Sequence, residues 1–496
     1  VSAEIEAAAP SVHRLGRRAL SLGVAKAFDF AVQFLLPVVL VRFLDADAFG
    51  QYRLLWLAVG TVMAIATLDM PAALYYFLPR SEAAMKRLYI NQTLLFLAFT
   101  GLASAWALSP WDPWLPEKMR GIAGHDAIVP AFVLLWVVAA LLDLLPTIEE
   151  RVRWQAKVTI GLGLLRALAL SVAAILTREF EPVLLALLAF VALKVALLLG
   201  YVARHHGLRG PIVRRGVFAD QLKYAAPLGA AGALYGLRMQ ADQWVAASLF
   251  SLGQFASFSI AAVLAPLMNL FRLSVSCAFM PSMSRMEASG DVAAMLALNS
   301  RANIMVATIV APLLAIAFVF AEEVVTLVYT ATYVSAAAVM RVYIVGLAAL
   351  VVETASVTML LRQGPFVMCL NLIALILAVA IDWWAAQRFG LAGAAAGSVT
   401  VIYLDRLVTL WRIARLAGLP VRMLQDWGAL GLRLAFAAIA AALAWSVAGD
   451  LLASSPPIVR LAGGTVVVAV AYAAMVQLSG ASLGGITAAR DPVRGP

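Results

Sequence analysis

Charged side chains are scarce in this sequence. Asp, Glu, Lys and Arg make up 13% of 496 residues, against roughly a quarter in soluble domains. Together with 64% apolar residues, that deficit excludes an ordinary soluble fold. Cysteine is almost missing: Cys277 and Cys369 both lie inside apolar runs and suggest neither a disulfide framework nor a metal cluster. Of the 4 histidines, His205 and His206 are adjacent and point to different faces of a helix. They therefore read as part of a solvated basic linker, with metal binding as the rival reading. The sequence shows no glycine-rich phosphate loop, no nucleophile–base arrangement and no metal-ligand spacing, so an enzyme is not expected. It also lacks the short alternating segments of about ten residues that mark a β-barrel.

What the chain has instead is a succession of apolar runs of about 20 residues, each long enough to cross a bilayer at ~1.5 Å per residue. The expected fold class is all-α, a polytopic membrane protein with about 14 transmembrane helices. The spans fall near 19–41, 51–79, 88–108, 127–146, 158–176, 183–202, 222–249, 254–279, 300–320, 335–360, 365–385, 392–410, 427–447 and 459–479.

The net charge of +10 is concentrated in alternate loops. Arg14/Arg17/Arg18, Arg80/Lys86/Arg87, Arg151/Arg153/Lys157, Arg204/Arg209/Arg214/Arg215 and Arg412/Arg415/Arg422 fall on one side. Arg42, Lys118, Arg120, Arg178 and Arg388 fall on the other. A bias of roughly three to one is the orientation signal of a bacterial inner-membrane protein with both termini cytosolic, and it argues against nucleic acid as a partner. The first residues mix acids and bases without a cleavage site, so residues 1–18 read as a cytosolic tail. The aromatics of Ser109-Pro110-Trp111-Asp112-Pro113-Trp114-Leu115-Pro116 suit the headgroup layer.

The basic linker 203–221, suited to anionic membrane lipids, separates a six-helix lobe at 19–202 from a second at 222–410. Residues 411–479 supply a further linker and two C-terminal helices, and 480–496 a tail. Phe49-Gly50-Gln51-Tyr52 has a counterpart in Phe255-Ala256-Ser257-Phe258, and Phe77-Leu78-Pro79 one in Phe279-Met280-Pro281. Spans 1 and 7 start on the same side, so the lobes are expected to be parallel repeats, an arrangement that places substrate near mid-membrane.

The stretch Arg42-Phe43-Leu44-Asp45-Ala46-Asp47-Ala48-Phe49-Gly50-Gln51-Tyr52 resembles the arginine, leucine, acidic pair and Phe-Gly-x-Tyr that follow the first span of polysaccharide-transport flippases. These belong to the multidrug/oligosaccharidyl-lipid/polysaccharide (MOP) exporter superfamily. Asp242, Tyr329 to Ala338, and Gly390-Leu391-Ala392-Gly393-Ala394-Ala395-Ala396 match in position. The resemblance implies transfer of undecaprenyl-pyrophosphate-linked oligosaccharide from the cytosolic to the periplasmic leaflet by alternating access. It also implies a polysaccharide polymerase and glycosyltransferases as partners. The related lipid II flippases carry a glycine before an Arg-Asp pair. Gly23, Lys26 and Asp29 echo that pattern at a different spacing, which favours a capsule, O-antigen or exopolysaccharide unit over lipid II.

Such a substrate requires a hydrated cationic groove, because a charge left in hydrocarbon costs at least ~2.5–3.5 kcal/mol. The candidate cavity cations are Lys26, Arg53, Arg238, Arg272 and Arg341, each weighed against reaching the headgroups by its long stem. Asp29 at i+3 from Lys26 and Asp242 at i+4 from Arg238 read either as structural partners or as coupling groups. Asp69 precedes Met70-Pro71, where a proline is expected to kink span 2, read equally as a gating hinge or as structural accommodation alone. Glu353, isolated in an apolar run, reads first as a satisfied interhelical hydrogen bond and second as a coupling-proton candidate, and Asn91, Gln92, Asn269 and Asn371 read as interhelical contacts. No cofactor is expected. Without a nucleotide motif, transport draws on a proton or sodium gradient, on substrate supply or on another protein. The rivals are a cation-coupled multidrug or metabolite exporter, a lipid II flippase, and a non-transporting scaffold for glycan assembly.

Overall fold

A computed structural model describes residues 12–109, 127–207 and 210–479. Residues 1–11 of the tail, 110–116 of the Trp/Pro loop with Lys118 and Arg120, Arg209 and the tail 480–496 lie outside the described residues. All regular elements among the described residues are helices. The chain divides into two compact units, 1–240 with 251–253, and 241–250 with 254–496.

Unit 1 contains α1 (Val12–Phe43), α2 (Ala46–Ala66), α3 (Met70–Phe77), α4 (Ala83–Ala107), α5 (Ile128–Ala139), α6 (Leu145–Ile148), α7 (Val152–Thr177), α8 (Phe180–His206) and α9 (Arg215–Met239). Within it α1 packs on α7, α4 and α8 on α5, and α9 on α2 and α3. Unit 2 contains α10 (Ala241–Leu249), α11 (Leu252–Ala261, its first two residues belonging to unit 1), α12 (Leu264–Ala288), α13 (Val292–Val319), α14 (Ala321–Val328) and α15 (Ala336–Leu350). It continues with α16 (Ala355–Leu360), α17 (Gly364–Ala417), α18 (Trp427–Asp450) and α19 (Pro457–Leu478). Here α10 and α15 pack on α17, and α13 on α12 and α18.

Among the described residues, eleven helical stretches are long and apolar enough to cross a membrane. One of them, α17, runs 54 residues and turns at Gly390 (φ 65°, ψ −146°), so it supplies the two expected spans 365–385 and 392–410. The shorter α15 and the less apolar α9 occupy the positions of spans 10 and 7. The protein is a multi-pass membrane protein. Its surface carries Phe99, Leu176, Leu451 and Leu478, all more than 70% exposed, which suits hydrocarbon and not water.

The motif after span 1 is explained by local chemistry. Asp45 caps α2, accepting from the Ala48 amide at 2.7 Å. Asp47 accepts from the Gly253 amide at 3.0 Å, and a Cβ on Gly50 would meet the Leu252 carbonyl oxygen at 2.3 Å. Phe49 and Tyr52 are buried beneath. Asp45 thus starts α2, while Asp47 and the glycine seat the chain at Leu252 and Gly253 of unit 1.

Several expected spans are broken rather than continuous. In span 2 the expected proline kink gives way to a full break: α2 stops at Ala66, Leu68 and Asp69 take positive φ (40° and 57°), and α3 restarts at Met70-Pro71. A proline in the first turn of a helix sacrifices no hydrogen bond, so the residue opens a helix here instead of bending one. Span 10 breaks at 351–354, all buried, and span 8 between Ala261 and Leu264. Irregular backbone at membrane depth is tolerated where protein or a cavity covers it.

Candidate functional site

The embedded charges of unit 1 converge where α1, α2, α5, α7 and α8 meet. Arg166 on α7, 8% exposed, directs Nη2 to Asp29 Oδ1 on α1 at 3.3 Å. Asp29 also accepts from Gln33 Nε2 at 2.8 Å, one turn along α1. Lys194 on α8 is equally buried and donates to Asp143 Oδ2 at 2.8 Å. Asp143 stands where α5 tightens into a 3₁₀ turn over Ala140–Asp143. Buried Gln155 donates to the Asp143 carbonyl and to Thr159 Oγ1, both at 3.4 Å. Removing one member of a buried pair costs about 3–5 kcal/mol, less when a partner is solvated. The Asp29 side chain is 34% exposed and that of Asp143 58%, so neither pair reaches the fully buried case.

Two adjoining cavities open on these groups. The smaller, ≈ 140 Å³, is bordered by Asp29, Asp143, Gln155, Arg166 and Lys194. The larger, ≈ 360 Å³, is bordered by Tyr52, Arg53, Trp56, Trp136 and Arg166, with Gln33 shared between the two. Trp56 and Trp136 stand edge to face at 4.9 Å, Tyr52 lies 6.3 Å from Trp56, and Lys194 Nζ sits 5.4 Å from the Trp136 ring. The site is thus a charged floor beside an aromatic wall.

Unit 2 holds a different arrangement. Asp242 on α10 accepts from the Tyr343 hydroxyl at 2.7 Å and from the Gln243 amide at 2.7 Å. Asp382, fully buried in the first half of α17, accepts from the Ser398 amide and hydroxyl of the second half, each at 2.7 Å. The turn at Gly390 brings Ser398 back to it. The two carboxylates lie within electrostatic reach of each other, in a small apolar cluster that includes Ala241, Ala378 and Val401.

The other expected residues are dispersed. Lys26 is exposed, Arg53 half-buried on the larger cavity, and Arg238 buried in the last turn of α9. Arg272 donates to Asn269 Oδ1 at 3.2 Å, one turn earlier on α12. Arg341 pairs with Glu322 at 3.1 Å and donates to the Phe318 carbonyl at 3.1 Å. Asp69 is half-buried in the α2–α3 break and Pro71 buried beyond it. Glu353 lies in the α15–α16 break, where its carboxylate accepts from the Ser356 amide at 3.0 Å and its backbone is held by Asn299 and Asn303.

Sequence reasoning passed over Arg166, Lys194, Asp143 and Asp382. Each is an ionisable residue in or at the edge of an apolar span, so the rule that singled out Asp29 applies to them without change. His206, first read with the linker, meets Glu149 at 2.6 Å, and the Tyr201 hydroxyl donates to the same carboxylate. Burial works to raise the Glu149 carboxyl, but the bonds from His206 and Tyr201 and the nearby charges hold it below the usual range.

Broken helices, embedded charges and exposed apolar surfaces describe a polytopic helical membrane protein. By sequence the chain matches no protein-family model and no curated protein. By fold it is similar to the lipid II flippase MurJ in its inward closed conformation, with a TM-score of 0.73 over 92% of this chain and 98% of that one, at 11% identity. It is also similar to a multidrug resistance MATE family transporter of the MOP superfamily in an inward-facing conformation (TM-score 0.58, 80% and 99% covered, 12% identity). A MOP superfamily transporter from Pyrococcus furiosus matches with a TM-score of 0.52 over 81% and 95%, at 14% identity. At these identities the likeness is one of fold alone.

Proposed function

We propose that this protein is a flippase of the polysaccharide-transport kind. It moves undecaprenyl-pyrophosphate-linked oligosaccharide units (O-antigen, capsule or exopolysaccharide) from the cytosolic to the periplasmic leaflet of a bacterial inner membrane, by alternating access. The observation that carries the reading is the pair of charge-lined cavities in unit 1, rich in guanidinium and indole, inside a fold that spans nearly the whole of a lipid II flippase. A multidrug exporter acting on cations calls for carboxylate-rich walls. Here the larger cavity is bordered by Arg53 and Arg166 and by no carboxylate. The termini face the cytosol in this reading, and the polymerase and glycosyltransferases act on the same lipid-linked substrate.

The buried Asp242 and Asp382 favour cation coupling as the energy source. Two carboxylates out of water and near each other are stabilised by a shared proton or by sodium. The test is transport in proteoliposomes of a fluorescent undecaprenyl-pyrophosphate-linked oligosaccharide, read by its accessibility to an impermeant reductant. Protein-dependent transfer that responds to an imposed proton or sodium gradient supports the reading. Transfer equal to that in protein-free vesicles refutes it.

A further inference from the structure

We propose that His206, Glu149 and Tyr201 form a pH-responsive latch at one end of unit 1. Protonated His206 fastens the end of α8 to the turn between α6 and α7, and neutral His206 releases it. The inference goes beyond the flippase reading and does not depend on it; the orientation given there puts the latch on the cytosolic side.

The cluster joins two segments that are distant in sequence. α8 ends at His206, and Glu149 lies in the turn that follows α6. His206 Nε2 stands 2.6 Å from Glu149 Oε1, and the two side chains are 10% and 14% exposed. The Tyr201 hydroxyl donates to the other oxygen of the same carboxylate. The turn itself is tied down by its backbone. The Glu149 amide donates to the Leu145 carbonyl at 3.1 Å and the Arg151 amide to that of Pro146 at 2.7 Å, with Glu150 between them at φ 60°.

The His206 contact is short but bent, because Nε2 makes no aligned hydrogen bond despite its distance from the carboxylate. Charge is then the main source of attraction, and an imidazole carries charge only when protonated. Imidazole is the side chain that ordinarily changes charge between about pH 5 and 8. Burial works to raise the Glu149 carboxyl, but His206, Tyr201 and the Arg151 charge hold it below the usual range, so it stays ionised through that window. The contact is therefore ionic on the acid side of the imidazole titration. On the alkaline side only the Tyr201 bond remains.

The neighbouring groups do not share this role. Arg151 lies over the Tyr201 ring at 5.7 Å, and a guanidinium does not titrate in this range. Glu150, Arg153, Lys157 and Arg204 are exposed to solvent. Arg87 of α4 lies beside Gly207, where a Cβ would meet its Nη2 at 3.4 Å. His205, the other imidazole, contacts the Tyr201 carbonyl through Nδ1 at 2.9 Å instead of a carboxylate. The same two segments are tied a second time, by Lys194 of α8 and Asp143 of the 3₁₀ turn before α6. Only the tie at His206 contains an imidazole. A rise in pH thus frees the end of α8 while its middle stays fastened, a local opening and not a general unfolding.

The experiment uses the full chain in lipid nanodiscs and measures amide hydrogen exchange of residues 145–151 by mass spectrometry. Rates are taken at about pH 6 and about pH 8, either side of the imidazole titration, and divided by those of an unstructured peptide of the same sequence. Protection in the wild type should fall about tenfold between the two, as a partly buried ion pair gives way to a neutral contact. His206→Gln should be weakly protected at both values. His206→Arg, cationic throughout, should be well protected at both, and His205→Gln should keep the wild-type response. Equal protection of the wild type at the two values overturns the proposal. So does a response that survives in His206→Gln or His206→Arg, or one that disappears in His205→Gln. None of these measurements involves transport, so the latch and the flippase reading stand or fall separately.

Discussion

Replacing Asp29 with Asn tests whether the unit 1 site is held together by charge. At 3.3 Å the Asp29–Arg166 attraction is about 5 kcal/mol gross for an effective dielectric of about 20. Asp29 is 34% exposed on its side chain and Arg166 10%, so much of that is offset by desolvation and solvent screening. A net loss of about 2 kcal/mol is expected, roughly a thirtyfold rise in the unfolding constant. Asparagine still bonds Gln33, so the change isolates the charge from the local hydrogen bond. The assay is equilibrium unfolding in mixed micelles, followed by tryptophan fluorescence and far-ultraviolet dichroism. Asp29→Asn, Arg166→Gln and the double variant close a cycle, and a coupling of about 1–2 kcal/mol is expected between the two sites. If the single effects add to within about 0.5 kcal/mol, the pair carries no coupling and the account of the site fails.

Other substitutions read different parts of the molecule. Gly50→Ala should destabilise by about 1–3 kcal/mol, because its Cβ meets the Leu252 carbonyl oxygen at 2.3 Å; unchanged unfolding in the same micelles would contradict that contact. Arg238→Ala and Arg272→Ala should abolish lipid-linked glycan transfer while the protein stays in the membrane, and full transfer in both, measured beside quantified membrane levels, removes them from the mechanism. The Glu149 carboxyl is held below its ordinary value, so its stabilising contribution is complete above the unfolded value of about 4.3 and is lost as pH falls through the lower folded one. Glu149→Gln should therefore flatten the acid limb of the stability profile, and an unchanged limb would assign acid sensitivity elsewhere. Asp382→Asn should uncouple transport from an imposed cation gradient; a gradient response equal to wild type rules out that carboxylate as the coupling group.

The span pattern was legible because length and apolarity are local properties, written residue by residue. The breaks were legible in part: Pro71 marked one of them, though its role is to open α3 and not to bend a continuous helix. What the chain did not reveal was partner choice. A local i+3 rule offers Lys26 to Asp29, while the structure pairs Asp29 with Arg166, 137 residues away, and Lys194 with Asp143, 51 away. Such pairings depend on which helix faces meet, and periodicity in uniformly apolar helices says little about that. The turn at Gly390 is a similar case. The small-residue run announced close packing, but that it returns Ser398 to Asp382 follows only from the fold.

The interruption between α2 and α3 stores conformational energy as well as direction. Leu68 and Asp69 occupy a left-handed region that costs a side-chain-bearing residue roughly 1–2 kcal/mol each. Rotating both into the ordinary helical well would fuse the two segments into one rod, lengthening it by ~1.5 Å for every residue recruited. Glycine at either position would relieve that strain and also disfavour the continuous helix, so it should deepen the preference for the bent form, which spin labels placed on α2 and α3 would record as a loss of any straight population.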